Sequence, residues 1–101
     1  MSMNILFSRY RQHLNSKDTI EEFEKYQKIF KKKKKIIILG NGGSNAIASH
    51  ISQDMAKFHN KKAYSFSDAG MLSCFANDFG YENAFVKFLE YFSDNTSLVI
   101  I

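Results

Sequence analysis

Four consecutive apolar residues, Ile36-Ile37-Ile38-Leu39, run directly into Gly40-Asn41-Gly42-Gly43-Ser44, and a helical pattern with Ile47, Ile51, Met55 and Phe58 on one face follows. A short β-branched run without polar alternation reads as a strand covered on both faces. The glycine turn lets the chain reverse from strand into helix, and it leaves N–H groups and the Ser44 hydroxyl at a helix N-terminus, where an anion can sit. Two readings of the turn follow: an anion cradle, or simple close packing of helix on strand. It is neither of the commonest phosphate loops, because no Lys-Ser/Thr ends it and Asn45 stands where G-x-G-x-x-G needs its third glycine.

Downstream, Ala63 to Phe66 reads as a second strand ending on Ser67-Asp68, and Leu98 to Ile101 as a third after a turn at Asp94-Asn95. Helices are expected near Ala69 to Ala76 and over Ala84, Phe85, Phe88, Leu89 and Phe92. Strands separated by helices imply right-handed crossovers and a parallel sheet, with ligands beyond the carboxyl ends of the strands. The Gly40 turn and Ser67-Asp68 both fall there.

Upstream, Met3, Phe7, Tyr10 and Leu14 recur at helical spacing. A second helix carries Ile20, Phe23, Ile29 and Phe30 on one side, with Asp18 or Thr19 as its cap and Thr19/Glu22 as a capping box. This aromatic surface serves either a partner subunit or the chain's own sheet.

Composition narrows the function classes. A hydrophobic share of 45% with ten Phe excludes a disordered chain. The net charge of +4 is local: without Lys31 to Lys35 the count is 9 basic against 10 acidic. A single run of that kind reads as a solvated helix end rather than a nucleic-acid face. Cys74 is the only cysteine, so no intrachain disulfide forms, and its apolar neighbours Leu72 and Phe75 predict a small buried hydrophobe. No apolar run approaches the ~18 residues of a membrane span and no signal-peptide core is present, so a cytoplasmic protein without membrane or nucleic-acid partners is expected.

His50 and Asp54 lie one helical turn apart, with Asp54 at the margin of the Ile47/Ile51/Met55 stripe. The pair is either an ordinary surface pair or a chemical one. Burial beside the stripe would suit Asp54 to general-base work, and the same spacing suits two ligands of one metal ion. His13 and His59 have no such context, His59 falling beside the polar turn Asn60-Lys61-Lys62.

Taken in order, Gly40-Asn41-Gly42-Gly43-Ser44, His50 and Asp54, Ser67-Asp68, and Asn77-Asp78-Phe79-Gly80 resemble the first half of a sugar isomerase (SIS) domain, and most closely the bacterial phosphoheptose isomerases. The likeness covers roughly residues 36 to 101. It implies a flavodoxin-like three-layer αβα domain with a parallel sheet, of which 35–101 would be the N-terminal half and 1–34 the oligomerisation helices of a homotetramer. It also implies a Ser-rich phosphate loop beyond the strand that ends at Ile101.

The implied activity is conversion of sedoheptulose 7-phosphate to the aldose through an enediolate, a step in heptose supply for lipopolysaccharide. By the resemblance, Asp54 is the base or a metal ligand, and His50 a zinc ligand or charge stabiliser, with one Zn²⁺ per site completed from outside this chain. Asn41, Gly42, Gly43, Ser44, Ser67, Asp68, Asn77 and Asp78 bind the phosphorylated sugar. The sequence departs from the family at Asp54, where Glu is usual. A carboxylate one methylene shorter misplaces the base by about 1 Å, an error that can cost ~100-fold in rate. A SIS module that binds a phosphosugar or a protein without turnover is the alternative.

Overall fold

The computed structural model describes residues 2–101, which divide into two compact units, one ending at Lys32 and one spanning Lys33–Ile101. The first is a helical hairpin of α1 (Met3–Leu14) and α2 (Lys17–Lys32). The Ser2 hydroxyl caps α1 by accepting from Ile5 N–H at 3.4 Å. Ser16, rather than Asp18 or Thr19, caps α2: its hydroxyl accepts from Thr19 N–H at 3.3 Å and its carbonyl from Ile20 N–H. The expected capping box does not close, because Glu22 pairs with Lys25 instead. A stacked ladder of Phe23, Tyr26 and Phe30 runs along α2, and neither helix contains a buried residue.

The second unit is α/β: a three-stranded parallel sheet of β1 (Lys35–Ile38), β2 (Lys62–Ser65) and β3 (Ser97–Ile100) in the order β2-β1-β3. That order matches the opening of the doubly wound 2-1-3-4-5 arrangement. Each strand begins one residue before its apolar run. The starting residues Lys35, Lys62 and Ser97 are polar, yet their N–H groups donate to Thr96, Lys34 and Asp94 carbonyls, and pairing rather than hydropathy decides the boundary.

Central strand β1 is covered on both faces, Ile36 and Ile37 being 0% exposed. Ile37 and Leu39 face one side, where Phe66, Ala84 and Phe88 complete a core backed by α4 (Ala69–Phe79) and α5 (Tyr81–Phe92). The Phe66 and Phe88 rings stack there at 4.3 Å. By strand alternation Ile36 and Ile38 face the other side, against α3 (Gly43–His59).

Three packing expectations change. On α3 the buried residues are Ala48 and Ser52, while Ile47, Ile51 and Phe58 remain 62%, 37% and 74% exposed. Small residues win the sheet-facing side because they let the helix axis approach the strands. Cys74 is exposed, since α4 turns Met71, Leu72 and Phe75 to the core and leaves the thiol one turn from Asp78. The lysine run does not form one solvated helix end: α2 stops at Lys32, and Lys35 enters β1 with its ammonium 2.8 Å from Asp94 and 3.0 Å from the Phe92 carbonyl.

Candidate functional site

Ser44 N–H donates to the Asn41 carbonyl at 3.1 Å, closing a turn in which Gly42 has φ 58° and ψ −123°. These are the values of the first central position of a type II′ turn, where a Cβ is disfavoured. Asn45 and Ala46 N–H groups both donate back to the Gly42 carbonyl. Three N–H donors at the start of α3, those of Ser44, Asn45 and Ala46, are therefore spent inside the turn. The Gly43 N–H and Ser44 hydroxyl make no hydrogen bond among the described residues. Gly40 answers to packing, because the first turn of α3 presses directly on its α-carbon. Both readings of the glycine turn thus apply, at different glycines.

A polar ring surrounds this turn at the carboxyl edge of the sheet. Tyr81 donates its phenolic O–H to Asn41 Oδ1 at 2.6 Å, and Ser67 donates to Asn45 Oδ1 at 3.3 Å while sharing a 2.8 Å hydrogen bond with Ser65. Helix α4 begins at Asp68 beyond β2 and ends at Gly80, next to Tyr81, which touches Asn41 beyond β1. The α4–α5 corner therefore reaches this edge through Tyr81. Asn77 and Asp78 precede this corner, and Asp78 lines an open cavity with Cys74, Phe79, Tyr91 and Phe92 rather than meeting the glycine turn.

Three of these side chains already have structural duties. Asp68 caps α4 by accepting from Met71 N–H at 2.7 Å. Asn77 and Asp78 sit in the last turn of α4 rather than in a free turn, Asn77 donating to Asp78 Oδ1 at 3.1 Å. Asp78 Oδ2 accepts from the Cys74 thiol, and that hydrogen bond with the carboxylate charge raises the thiol above its ordinary range. Cys74 is thereby held as a thiol, which disfavours it as a nucleophile.

His50 and Asp54 form a separate pair. Nε2 and Oδ2 are 3.5 Å apart, and Lys57 places its ammonium 3.7 Å from the other Asp54 oxygen. With a helical rise of about 1.5 Å per residue, His50 lies roughly 10 Å and Asp54 roughly 16 Å along α3 from Gly43. The chain brings the glycine turn, Ser67 and the α4–α5 corner together, and leaves this pair further down the helix. The Asp54 side chain is 41% exposed, so the burial expected beside the apolar stripe is not supplied by the described residues, where the stripe itself is open.

As a metal site the pair is half of one. Imidazole and carboxylate on adjacent turns suit a divalent cation, but zinc takes four ligands and no group of three His, Cys, Asp or Glu side chains occurs among the described residues. The donor set fits only if further ligands come from elsewhere.

Tyr81, Asn45 and Ser65 are residues that sequence reasoning missed. Tyr81 had one signal: it directly follows Gly80, whose φ of 86° turns α4 into α5 and swings the phenol toward β1. Asn45 and Ser65 carried none, since their roles depend on strands meeting in space.

No protein-family model matches the chain. The chain is similar to proteins named phosphoheptose isomerase. It is 34% identical to that of Buchnera aphidicola subsp. Acyrthosiphon pisum, over 89% of this chain and 55% of the relative. It is 37% identical to that of Buchnera aphidicola subsp. Schizaphis graminum, over 76% of this chain and 44% of the relative. It is 36% identical to that of Fusobacterium nucleatum subsp. nucleatum, over 83% of this chain and 46% of the relative. The chain thus spans about half the length of the curated relatives it matches, and over most of its own length it resembles phosphoheptose isomerases.

Proposed function

We propose that this chain belongs to a cytoplasmic phosphosugar isomerase of the SIS type, a homotetramer that interconverts a sedoheptulose 7-phosphate-type ketose and its aldose through an enediolate. The observation that carries this reading is the convergence of the Gly40–Ser44 turn, Tyr81, Ser67 and the α4–α5 corner at the carboxyl ends of β1 and β2. Anionic sugars bind at such an edge in doubly wound sheets.

The substrate lies with its oxygens against Asn41, Gly42, Gly43, Ser44, Ser67, Asp68, Asn77 and Asp78. Tyr81 holds the Asn41 amide in place. An extended seven-carbon sugar phosphate is about 10 Å long, so with one end at the glycine turn its other end lies level with His50, toward which the Asp54 carboxylate points back from the next turn at 3.5 Å. An Asp54 oxygen takes the proton from C1, the C–H electron pair forms the C1=C2 double bond, and the carbonyl oxygen carries the enediolate charge. Return of that proton to C2, with the O1 proton moving to O2 as the C1=O bond forms, gives the aldehyde with a hydroxyl at C2. His50 holds Asp54 by its 3.5 Å contact and stabilises the developing charge. A zinc ion, when bound, would use His50 and Asp54 as two of its ligands and polarise the substrate oxygens.

Subunit contact supplies what the single chain lacks. The open Ile47/Ile51/Phe58 flank of α3 and the apolar residues of α1 and α2 are surfaces a homotetramer would cover, excluding water from Asp54.

The test is solvent deuterium exchange into sedoheptulose 7-phosphate by the full protein. Asp54→Asn should lower exchange by about 10²- to 10⁴-fold while substrate binding persists, and Asp54→Glu should raise turnover. Exchange untouched by Asp54→Asn removes Asp54 from the chemistry. A second reading, a SIS module that binds without turnover, is favoured by the engagement of both Asp54 oxygens with His50 and Lys57. Absence of exchange in the unmodified protein would select it.

A further inference from the structure

Charge is segregated within the Lys33–Ile101 unit. It contains seven lysines and six acids, nearly balanced, yet Lys33, Lys34, Lys35, Lys61 and Lys62 all gather at the amino edge of the sheet. Parallel pairing causes this: Lys35 is in register with Lys62, Lys62 N–H donates to the Lys34 carbonyl at 3.0 Å, and Lys61 Nζ donates to the Lys33 carbonyl at 2.7 Å. Two basic stretches 26 residues or more apart in sequence thus become one patch. The acid nearest to them, Asp94, is engaged by Lys35. Asp54 and Glu90 are paired with Lys57 and Lys87. Asp68 caps α4, Asp78 accepts from the Cys74 thiol in the last turn of α4, and Glu82 stands in the first turn of α5.

An open cavity of about 460 Å³ occupies this patch, lined by Lys34, His59, Asn60, Lys61 and Lys62. Lysines near a helix C-terminus ordinarily serve its dipole. That duty falls to Lys57 and His59, which stand in the last turn of α3. The ammonium groups of Lys34 and Lys62 make no hydrogen bond or ion pair among the described residues, and both side chains are exposed. Lys33, Lys35 and Lys61 are engaged by the Asn95 carbonyl, Asp94 and the Lys33 carbonyl, which leaves Lys34 and Lys62 at the starts of neighbouring strands about 4.8 Å apart. Two cations side by side match an anion that carries charge along a chain better than a single phosphate.

We infer that the amino edge is a second anion site, remote from the sugar-phosphate edge, that binds a linear oligophosphate, either free or as the phosphate tail of a nucleotide. Lys34 and Lys62 are its principal contacts, with Lys61 and His59 beside them.

Titration calorimetry of the full chain with inorganic tripolyphosphate tests this, with orthophosphate and ATP as further arms. Tripolyphosphate is expected to bind more tightly than orthophosphate, with an affinity that falls steeply with salt, and Lys34→Gln/Lys62→Gln should weaken it by about tenfold or more. Equal binding of ATP and tripolyphosphate assigns recognition to the phosphate chain alone, and tighter ATP binding adds a contact to the nucleoside. Circular dichroism of the double variant checks that both substitutions, at exposed positions, leave the fold intact. No binding, binding indifferent to the double substitution, or equal affinity for orthophosphate would each overturn the inference.

Discussion

Substituting Gly40 by alanine tests the closeness of strand and helix at the glycine turn. A Cβ built there lies 2.5 Å from the Ser44 carbonyl carbon, 2.6 Å from its oxygen and 2.7 Å from Asn45 N. All three atoms are backbone, in the first turn of α3, and a helix turn cannot rotate away as a flexible side chain would. Relief requires shifting α3 off β1, where Ile36 and Ile37 are fully buried. Overpacking of this kind costs about 1–3 kcal/mol, and a rigid obstacle puts Gly40→Ala at the upper end. For a domain of this size each kcal/mol lowers Tm by about 4–8 °C, so a fall of roughly 10–20 °C is expected in a calorimetric or circular-dichroism melt. Gly43→Ala is the control, because nothing lies within 4 Å of its Cβ and its φ is not positive. At the start of a helix, alanine there should be neutral or stabilise by up to about 1 kcal/mol. Equal melting temperatures for Gly40→Ala and Gly43→Ala would refute the close-approach reasoning.

Tyr81→Phe removes the hydrogen bond to Asn41 at an exposed site, so stability should drop by only about 0.5–1.5 kcal/mol in urea titration. Sugar-phosphate affinity should weaken severalfold as the Asn41 amide loosens, and unchanged affinity would remove Tyr81 from the site. The Asp94 carboxyl is held well below the usual carboxylate range by hydrogen bonds from Lys35 and from the Thr96 hydroxyl and N–H. A depressed folded-state value means its contribution is present above the unfolded value, about pH 4, and is lost as pH falls further. Asp94→Asn should therefore lower Tm at pH 7 and reduce the steepness of the acid limb below about pH 4; identical pH profiles would contradict this.

The local layout was readable from residues alone because it rests on local physics. The β-branched run Ile36-Ile37-Ile38 reads as a strand covered on both sides, the glycines after Leu39 as a turn, and strands alternating with helices as a parallel sheet with its ligand edge at the carboxyl ends. Each strand lies one residue earlier than its apolar run, starting at Lys35, Lys62 and Ser97 and ending before Leu39, Phe66 and Ile101, because backbone pairing, which hydropathy does not record, sets the bounds.

Which face of a helix becomes the buried one is a contest between hydropathy and distance of approach. On α3 distance won: Ala48 and Ser52 meet the sheet and the larger Ile47, Ile51 and Phe58 stay open. The same placement of α4 exposes Cys74 and hands its thiol to Asp78. Long-range partners were equally out of reach of sequence spacing. Tyr81 meets Asn41 across 40 residues, and the two lysine stretches merge only because β1 and β2 pair in parallel register. Periodicity specifies what each segment is, whereas the side chains that meet at a sheet edge depend on strand order and helix direction, and these exist only once the chain has folded.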